Sequence, residues 1–300
     1  MKTTVVVGYD RTEPSDAALA EAAREAVMRG AALDVVTAFR QPPATGPNGP
    51  NGPNGPAGPW SADLGDLAYK TAFDVAQHGA YLAHERYPHL TATPCAVSGP
   101  AGSTVAQAAR GAGLLVVGSR GHGGFAGLQL GSTSMRALAD ATCPVLVVRG
   151  REDGRAHDRV VAAVDIDGPC EQVLDFAFDE ASRRGTRLTV VHVWDEPWIV
   201  AYGRDDPGIA EDIALIEAER EERLLGLVHT VQPRHPEVRP YHQVATGSAG
   251  RLLVEATHRA DLLVTGARRH SRGRQGLRLG PVTQTLLHHA GCPVAVVPLG

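Results

Sequence analysis

Apolar residues fall into short unbroken runs separated by longer amphipathic stretches, and the whole pattern occurs twice. In the first half the runs predict strands near 3–9, 33–39, 91–97, 114–118 and 143–149; in the second, near 159–165, 187–194, 238–245, 261–266 and 292–298. LLVVG (114–118) and DLLVTG (261–266) are continuous rather than alternating, which suits parallel strands buried on both faces. Between the first two runs, Leu19, Ala22, Ala23, Ala26 and Val27 recur at helical spacing. Strand and helix alternate throughout, so each half predicts a doubly wound, Rossmann-like α/β domain with a parallel sheet.

The register of the repeat can be followed residue by residue. TTVVVGYD ends at Asp10 and RVVAAVD at Asp165; Pro14 and Pro169, and then Gly30 and Gly185, keep the same separation of 155. Proline near a helix start and glycine just past its end mark the two helix limits. The separation drops to 148 at Gly99/Gly247 and Gly118/Gly266, and is 149 at Cys143/Cys292. The first half therefore carries extra residues between 39 and 99, and GPNGPNGPNGPAGP (46–59) is the visible source. So few triplets cannot hold a collagen helix, and the tract reads as a surface loop without assigned function. The polar stretch REDGRAHD (151–158) reads as a linker, giving domains 1–149 and 157–300.

Composition removes several classes of function. Hydrophobic content of 43%, charged content of 21% and a net charge of -4 describe a globular chain with no global pull toward nucleic acid or anionic membrane. No apolar run approaches the roughly 18 residues of a membrane span. The start, MKTTVVVGYD, is too short and too quickly polar for a signal peptide, so a cytoplasmic location is expected. The four cysteines, Cys95, Cys143, Cys170 and Cys292, form no C-x-x-C pair, which argues against a disulfide framework or a zinc site. No side-chain metal site is read, and the scattered histidines (His78, His84 and His89, and the adjacent His288 and His289) read as ordinary helix residues.

The candidate chemistry lies in a glycine phrase that appears twice: GSRGHGGFAGLQLGSTS (118–134) and GARRHSRGRQGLRLGPVT (266–283). In a doubly wound sheet, ligands bind beyond the carboxyl ends of the strands. The first phrase begins at such an end and runs to a helix start near Gly131. Glycines let backbone N–H groups approach an anion, a helix start adds free N–H donors, and Ser132 and Thr133 add hydroxyls. Together these make a phosphate cradle. G-x-G-x-x-A at 121–126 is weak alone, since no acidic residue ends the following strand and no lysine makes a P-loop.

The longer spacing is sharper. Gly118, Gly121, Gly131 and Ser132 follow G-x2-G-x9-G-[ST], and with VVVGYD before and CPVLVV after, each half resembles the universal stress protein family of the nucleotide-binding kind. The resemblance implies a five-stranded sheet of order 3-2-1-4-5 in each half, ATP with Mg²⁺ as ligand, and last strands that pair, here as an intramolecular pseudo-dimer or as a homodimer. By that resemblance Asp10 lies near the ribose and phosphates, Ala38 offers backbone groups to adenine, and Gly118, Gly121, Gly131, Ser132 and Ser134 form the phosphate loop. Arg120 and His122 either reach phosphate oxygens or face solvent.

The second copy keeps Asp165, Val193, Gly266 and Gly280 but has Arg269 where Gly121 stands and Pro281 where Ser132 stands. An arginine there closes off a backbone approach, and a proline removes an N–H and a hydroxyl together while remaining comfortable at a helix start. This predicts a degenerate second site. Arg268, Arg269, Arg272, Arg274 and Arg278 either attract an anion by their side chains or form a solvated basic loop. No nucleophile elbow and no H-E-x-x-H helix is present, so no catalytic residue is assigned. The reading is an ATP-binding regulatory stress protein with one working site; the alternatives are an adenine-nucleotide hydrolase of the same superfamily and a scaffold that binds no nucleotide.

Overall fold

The computed structural model describes residues 4–40, 60–120, 130–149, 156–195, 207–269 and 276–300. The tract 46–59, most of the linker 151–158, Gly121, His122, Arg272 and Arg274 lie outside the described residues. The chain divides into two compact units, Met1–Cys143 and Pro144–Gly300.

The first unit contains β1 (Thr4–Gly8), α1 (Glu13–Arg29), β2 (Ala32–Phe39), α2 (Trp60–Arg86), β3 (Ala92–Ser98), α3 (Ala101–Ala108), β4 (Leu114–Gly118) and α4 (Ser132–Asp140). Its strands run parallel in the order β3-β2-β1-β4. Counted through its fifth strand, β5 (Val145–Val148), the first repeat has the expected 3-2-1-4-5 order. Val5, Val7, Leu114, Leu115 and Val116 at the centre are fully buried, as their unbroken apolar runs predict. Helix α1 covers them with Leu19, Ala22, Ala23 and Ala26, but Val27, of the same predicted stripe, is 46% exposed. Pro14 lies in the first turn of α1, and Gly30 closes the helix at φ 60°, a left-handed conformation for which glycine pays no steric cost.

The second unit contains β5 and then β6 (Arg159–Ala163), α5 (Glu171–Arg184), β7 (Arg187–Trp194), α6 (Pro207–Val231), β8 (Tyr241–Thr246), α7 (Ala249–Thr257), β9 (Leu262–Arg269), β10 (Leu277–Arg278), α8 (Pro281–His289) and β11 (Val294–Leu299). The order β11-β9-β6-β7-β8 again reads 3-2-1-4-5 within the second repeat. In this unit β5 pairs antiparallel with β11 through Val145↔Val296, Leu146↔Ala295 and Val147↔Val294. β8 begins at Tyr241 rather than near 238, because Pro240 has no N–H to give a ladder. Helices α1 and α5 each carry a buried i,i+4 ion pair, Arg29–Glu25 at 3.0 Å and Arg184–Glu180 at 2.8 Å.

The second glycine phrase departs from the expected loop. β9 continues to Arg269 and is joined by β10 in an antiparallel hairpin, Leu277↔Arg269 and Arg278↔Arg268. Leu277 is only 2% exposed, and burying it holds the return strand in place. Among the described residues no helix is long and apolar enough to cross a membrane.

Close packing of α3 on α4 rests on Gly102. A Cβ there would lie 2.6 Å from both the Thr133 carbonyl oxygen and Arg136 Cβ. Gly102→Ala is expected to destabilise the protein by about 1–3 kcal/mol despite alanine's better helix propensity. Urea unfolding checks this, and an unchanged midpoint would show that the two helices separate freely.

Candidate functional site

At the carboxyl edge of the first unit, β1 and β4 are adjacent with Val7 opposite Val116, so Asp10 and residues 118–120 leave the sheet at the same place. The Asp10 carboxylate accepts from the Thr12 backbone N–H at 3.1 Å and the Thr12 hydroxyl at 2.6 Å. Its own N–H donates to Ser15 Oγ at 3.3 Å, and the Ser15 hydroxyl donates to the Thr12 carbonyl at 2.9 Å. These bonds fix the β1–α1 turn and the direction of the carboxylate. Tyr9 donates its phenol proton to Asp16 at 2.9 Å; burial first, and this bond second, hold that phenol above its ordinary pKa, so it stays neutral.

Ala38 lies beyond Val36, the last β2 residue paired with β1. Val36 accepts from the Tyr9 N–H at 2.9 Å, so by strand alternation Ala38 turns its backbone groups to the side where β1 has ended.

The loop after β4 is tied at its base by two bonds. Gly131 N–H donates to the Ser119 carbonyl at 2.7 Å, and the buried Ser134 hydroxyl donates to the Gly118 carbonyl at 2.6 Å. Gly118 is itself constrained by packing: a Cβ on it would sit 2.6 Å from the Pro14 carbonyl oxygen. Gly131 caps α4, and Ser132 and Thr133 are exposed in its first turn, where the N–H groups have no helical acceptor. Arg120 is exposed. Asp10, Gly118, Arg120, Gly131, Ser132 and Thr133 thus share one edge, while Ser134 faces inward as a structural donor.

The second unit repeats two of these bonds. Asp165 accepts from the Asp167 N–H at 3.1 Å, and Thr283 donates to the Gly266 carbonyl at 3.2 Å. Val193 stands beyond Val191, the last β7 residue paired with β6. Gly280 caps α8, and Pro281 occupies its first turn. Arg269 is exposed on the extended β9. A cleft of about 560 Å³ opens at this edge, lined among others by Asp165, His192, Val193, Gly266, Arg268, Arg278, Gly280 and Pro281. Cys170 also lines it, but burial and then the Asp165 charge push its thiol pKa up, so it offers no thiolate.

Sequence reading missed Thr37 and His192. They stand 155 residues apart and do the same work: the Thr37 hydroxyl donates to the Tyr9 carbonyl at 2.9 Å, and His192 Nδ1 lies 3.1 Å from the Val164 carbonyl. The repeat register identifies them as one position, although hydroxyl and imidazole do not resemble each other. Among the described residues no cluster of three or more His, Cys, Asp or Glu residues suits a metal ion.

Two copies of a doubly wound α/β unit, each with an aspartate just beyond the first strand and a capped helix after the fourth, define a tandem α/β protein. The universal stress protein family model matches residues 1–149 and 157–298, and the chain belongs to that family. Universal stress protein Rv2005c of Mycobacterium tuberculosis is 32% identical over 97% of this chain and 96% of its own. The crystal structure of a universal stress protein from Archaeoglobus fulgidus covers 99% of this chain and 98% of that chain with a TM-score of 0.64 at 18% identity, a likeness of fold. A shorter universal stress protein from Archaeoglobus fulgidus, in complex with dAMP, covers 47% of this chain and 97% of its own, with 21% identity and a TM-score of 0.33.

The Ser134 bond is the tie that sets α4 against β4. Ser134→Ala leaves the buried Gly118 carbonyl without this donor and is expected to cost about 1–3 kcal/mol. Thermal unfolding measures it; an unchanged melting temperature would mean that packing alone positions α4.

Proposed function

We infer that this universal stress protein binds ATP, with Mg²⁺ on the phosphates, at the carboxyl edge of its first repeat, and acts as a regulatory binding protein rather than a catalyst. One observation carries the reading: the first-turn amides of α4, with exposed Ser132 and Thr133, stand on the same edge as the oriented Asp10 carboxylate. This donor set suits a phosphate chain. Free amides and hydroxyls donate to anionic oxygens, the positive end of the helix favours the charge, and a carboxylate nearby suits ribose hydroxyls or a cation. The backbone of Ala38 offers one donor and one acceptor, which matches an adenine edge. Gly121, His122 and Arg120 belong to the loop assigned to the phosphates.

Among the described residues of this donor set there is no histidine or cysteine, and His122 of the loop is assigned to the phosphates, so no residue is assigned as general base or nucleophile. Occupancy of the site would then act by changing the loop between β4 and α4 and whatever partner reads it. In the second repeat, Arg269 and Pro281 replace a glycine and a serine of the same loop, and this edge is assigned no ATP role.

Ser132→Pro copies the second repeat's Pro281 into a first-turn position where proline is tolerated. It removes one N–H and one hydroxyl, and MgATP affinity is expected to fall at least about tenfold, equivalent to about 1.4 kcal/mol. Titration calorimetry on the folded variant decides it; unchanged affinity would sink the assignment. Mass spectrometry of ligand released from the denatured protein is expected to show adenine nucleotide at one equivalent per chain.

A further inference from the structure

The second glycine phrase borders an open cleft. Its inner wall is apolar, with Val164, Val173, Val191, Leu253 and Leu299, and two arginines, Arg268 and Arg278, stand in its lining. They are direct cross-strand partners in the β9–β10 hairpin. Like charges in that relation repel, so the pairing is unfavourable unless something negative lies between them. Leu277 is buried, and side chains alternate along a strand, so its burial turns Arg278 to the opposite face of the hairpin.

Neither guanidinium is firmly engaged. Arg268 reaches Asp165 only at 4.0 Å, with both side chains 65% exposed, a pair worth about 0–1 kcal/mol. The Arg278 side chain makes no hydrogen bond or ion pair among the described residues. The lining also includes Val282 and Thr283, whose first-turn amides in α8 have no helical acceptor. Among the described residues Asp165 is the one carboxylate in the lining, and it already receives the Asp167 N–H and faces Arg268.

We propose that the second-repeat cleft is a binding site of its own for a small phosphate ester, gripped by the side chains of Arg268 and Arg278 and the start of α8, without a metal ion, with the organic body of the ester against the apolar wall. Donors come from three separate elements, β9, β10 and α8. That suits a tetrahedral oxyanion, whose oxygens point in several directions; a planar carboxylate is satisfied by one guanidinium fork. Recognition here is by arginine side chains, whereas the first repeat presents backbone and hydroxyl donors. The site does not depend on the ATP assignment.

Calorimetry of the full chain with phenyl phosphate in EDTA tests the proposal. One equivalent is expected to bind. Arg278→Ala should weaken it at least about tenfold, and Arg278→Lys should fall between, because an ammonium keeps the charge but lacks the fork. Arg239→Ala removes an exposed arginine outside the cleft and should change nothing. Benzoate, with the same ring and a carboxylate, should bind at least about tenfold more weakly than phenyl phosphate. The proposal is overturned by no binding at millimolar phenyl phosphate, by unchanged affinity in Arg278→Ala, by equal losses in Arg239→Ala, or by benzoate binding as tightly. Loss in Ser132→Pro but not in Arg278→Ala would assign the phosphate to the first repeat and also overturn it. MgATP affinity in Arg278→Ala is read in parallel: its retention keeps the two sites distinct, and its loss overturns their independence.

Discussion

In each repeat, a carbonyl of the fourth strand, at its end in the first copy and within it in the second, accepts a hydrogen bond from a hydroxyl in the first turn of the next helix: Ser134 to Gly118, Thr283 to Gly266. This bond fixes the helix start at the sheet edge whatever lies between. Helix termini leave several N–H groups without acceptors, so where the helix begins is where the free donors are. Everything proposed at either edge depends on that placement. The bond also explains how the intervening segment changed so far without disturbing the unit around it. In the second repeat it became a hairpin, yet Gly280 still caps the helix and Gly266 still lies where β9 passes β11.

A second tie, on the other side of the edge, is conserved in bonding and not in chemistry. The carbonyl after the first strand is reached by Thr37 in one copy and by His192 in the other. What the fold requires is a donor at that place, because a carbonyl just beyond the last ladder bond is otherwise unsatisfied. Glycine plays a comparable structural role at position 118. Its assignment to the phosphate loop came from spacing alone, and the contact with Pro14 shows that close approach of α1 to β4 would exclude a side chain there in any case.

The strand order was implied by the family resemblance, while the layers and the repeated elements were legible in the sequence because continuous apolar runs, helical spacing and the offset of 155 are separate signals that agree. Two features were not. Val27 has the right helical phase but is exposed, since phase gives a direction around the helix and not what covers it. The β9–β10 hairpin has no apolar alternation to announce it; a two-residue strand exists only because Leu277 finds a buried place. Arg269 was read as a steric lesion in a loop, but it stands at the end of the extended β9. The neighbour that matters to the cleft is Arg268, whose counterpart Arg120 is present in the first copy as well, so no difference between the copies drew attention to it.

The exchange of Thr12 for Asp167 extends the contrast between the two edges. In the first copy the hydroxyl and N–H of Thr12 hold the Asp10 carboxylate, a neutral arrangement around one charge. In the second, Asp167 instead attracts Arg223 at 2.7 Å and Arg220 at 3.4 Å from α6. Arg220 lies over the Trp194 ring and comes within 3.3 Å of His192 Nε2. With Nδ1 facing a carbonyl, the neutral ring carries its proton there, so Nε2 accepts and Arg220 donates. The second edge has therefore moved from hydroxyl and amide contacts to guanidinium and carboxylate contacts, in its frame as in its cleft. Exposed ion pairs of this kind are worth about 0–1 kcal/mol each and are screened over about 8 Å at physiological salt. An edge built on them yields to a competing anion more readily than one built on backbone bonds, which suits a site whose Arg268 must leave Asp165 to take hold of a ligand.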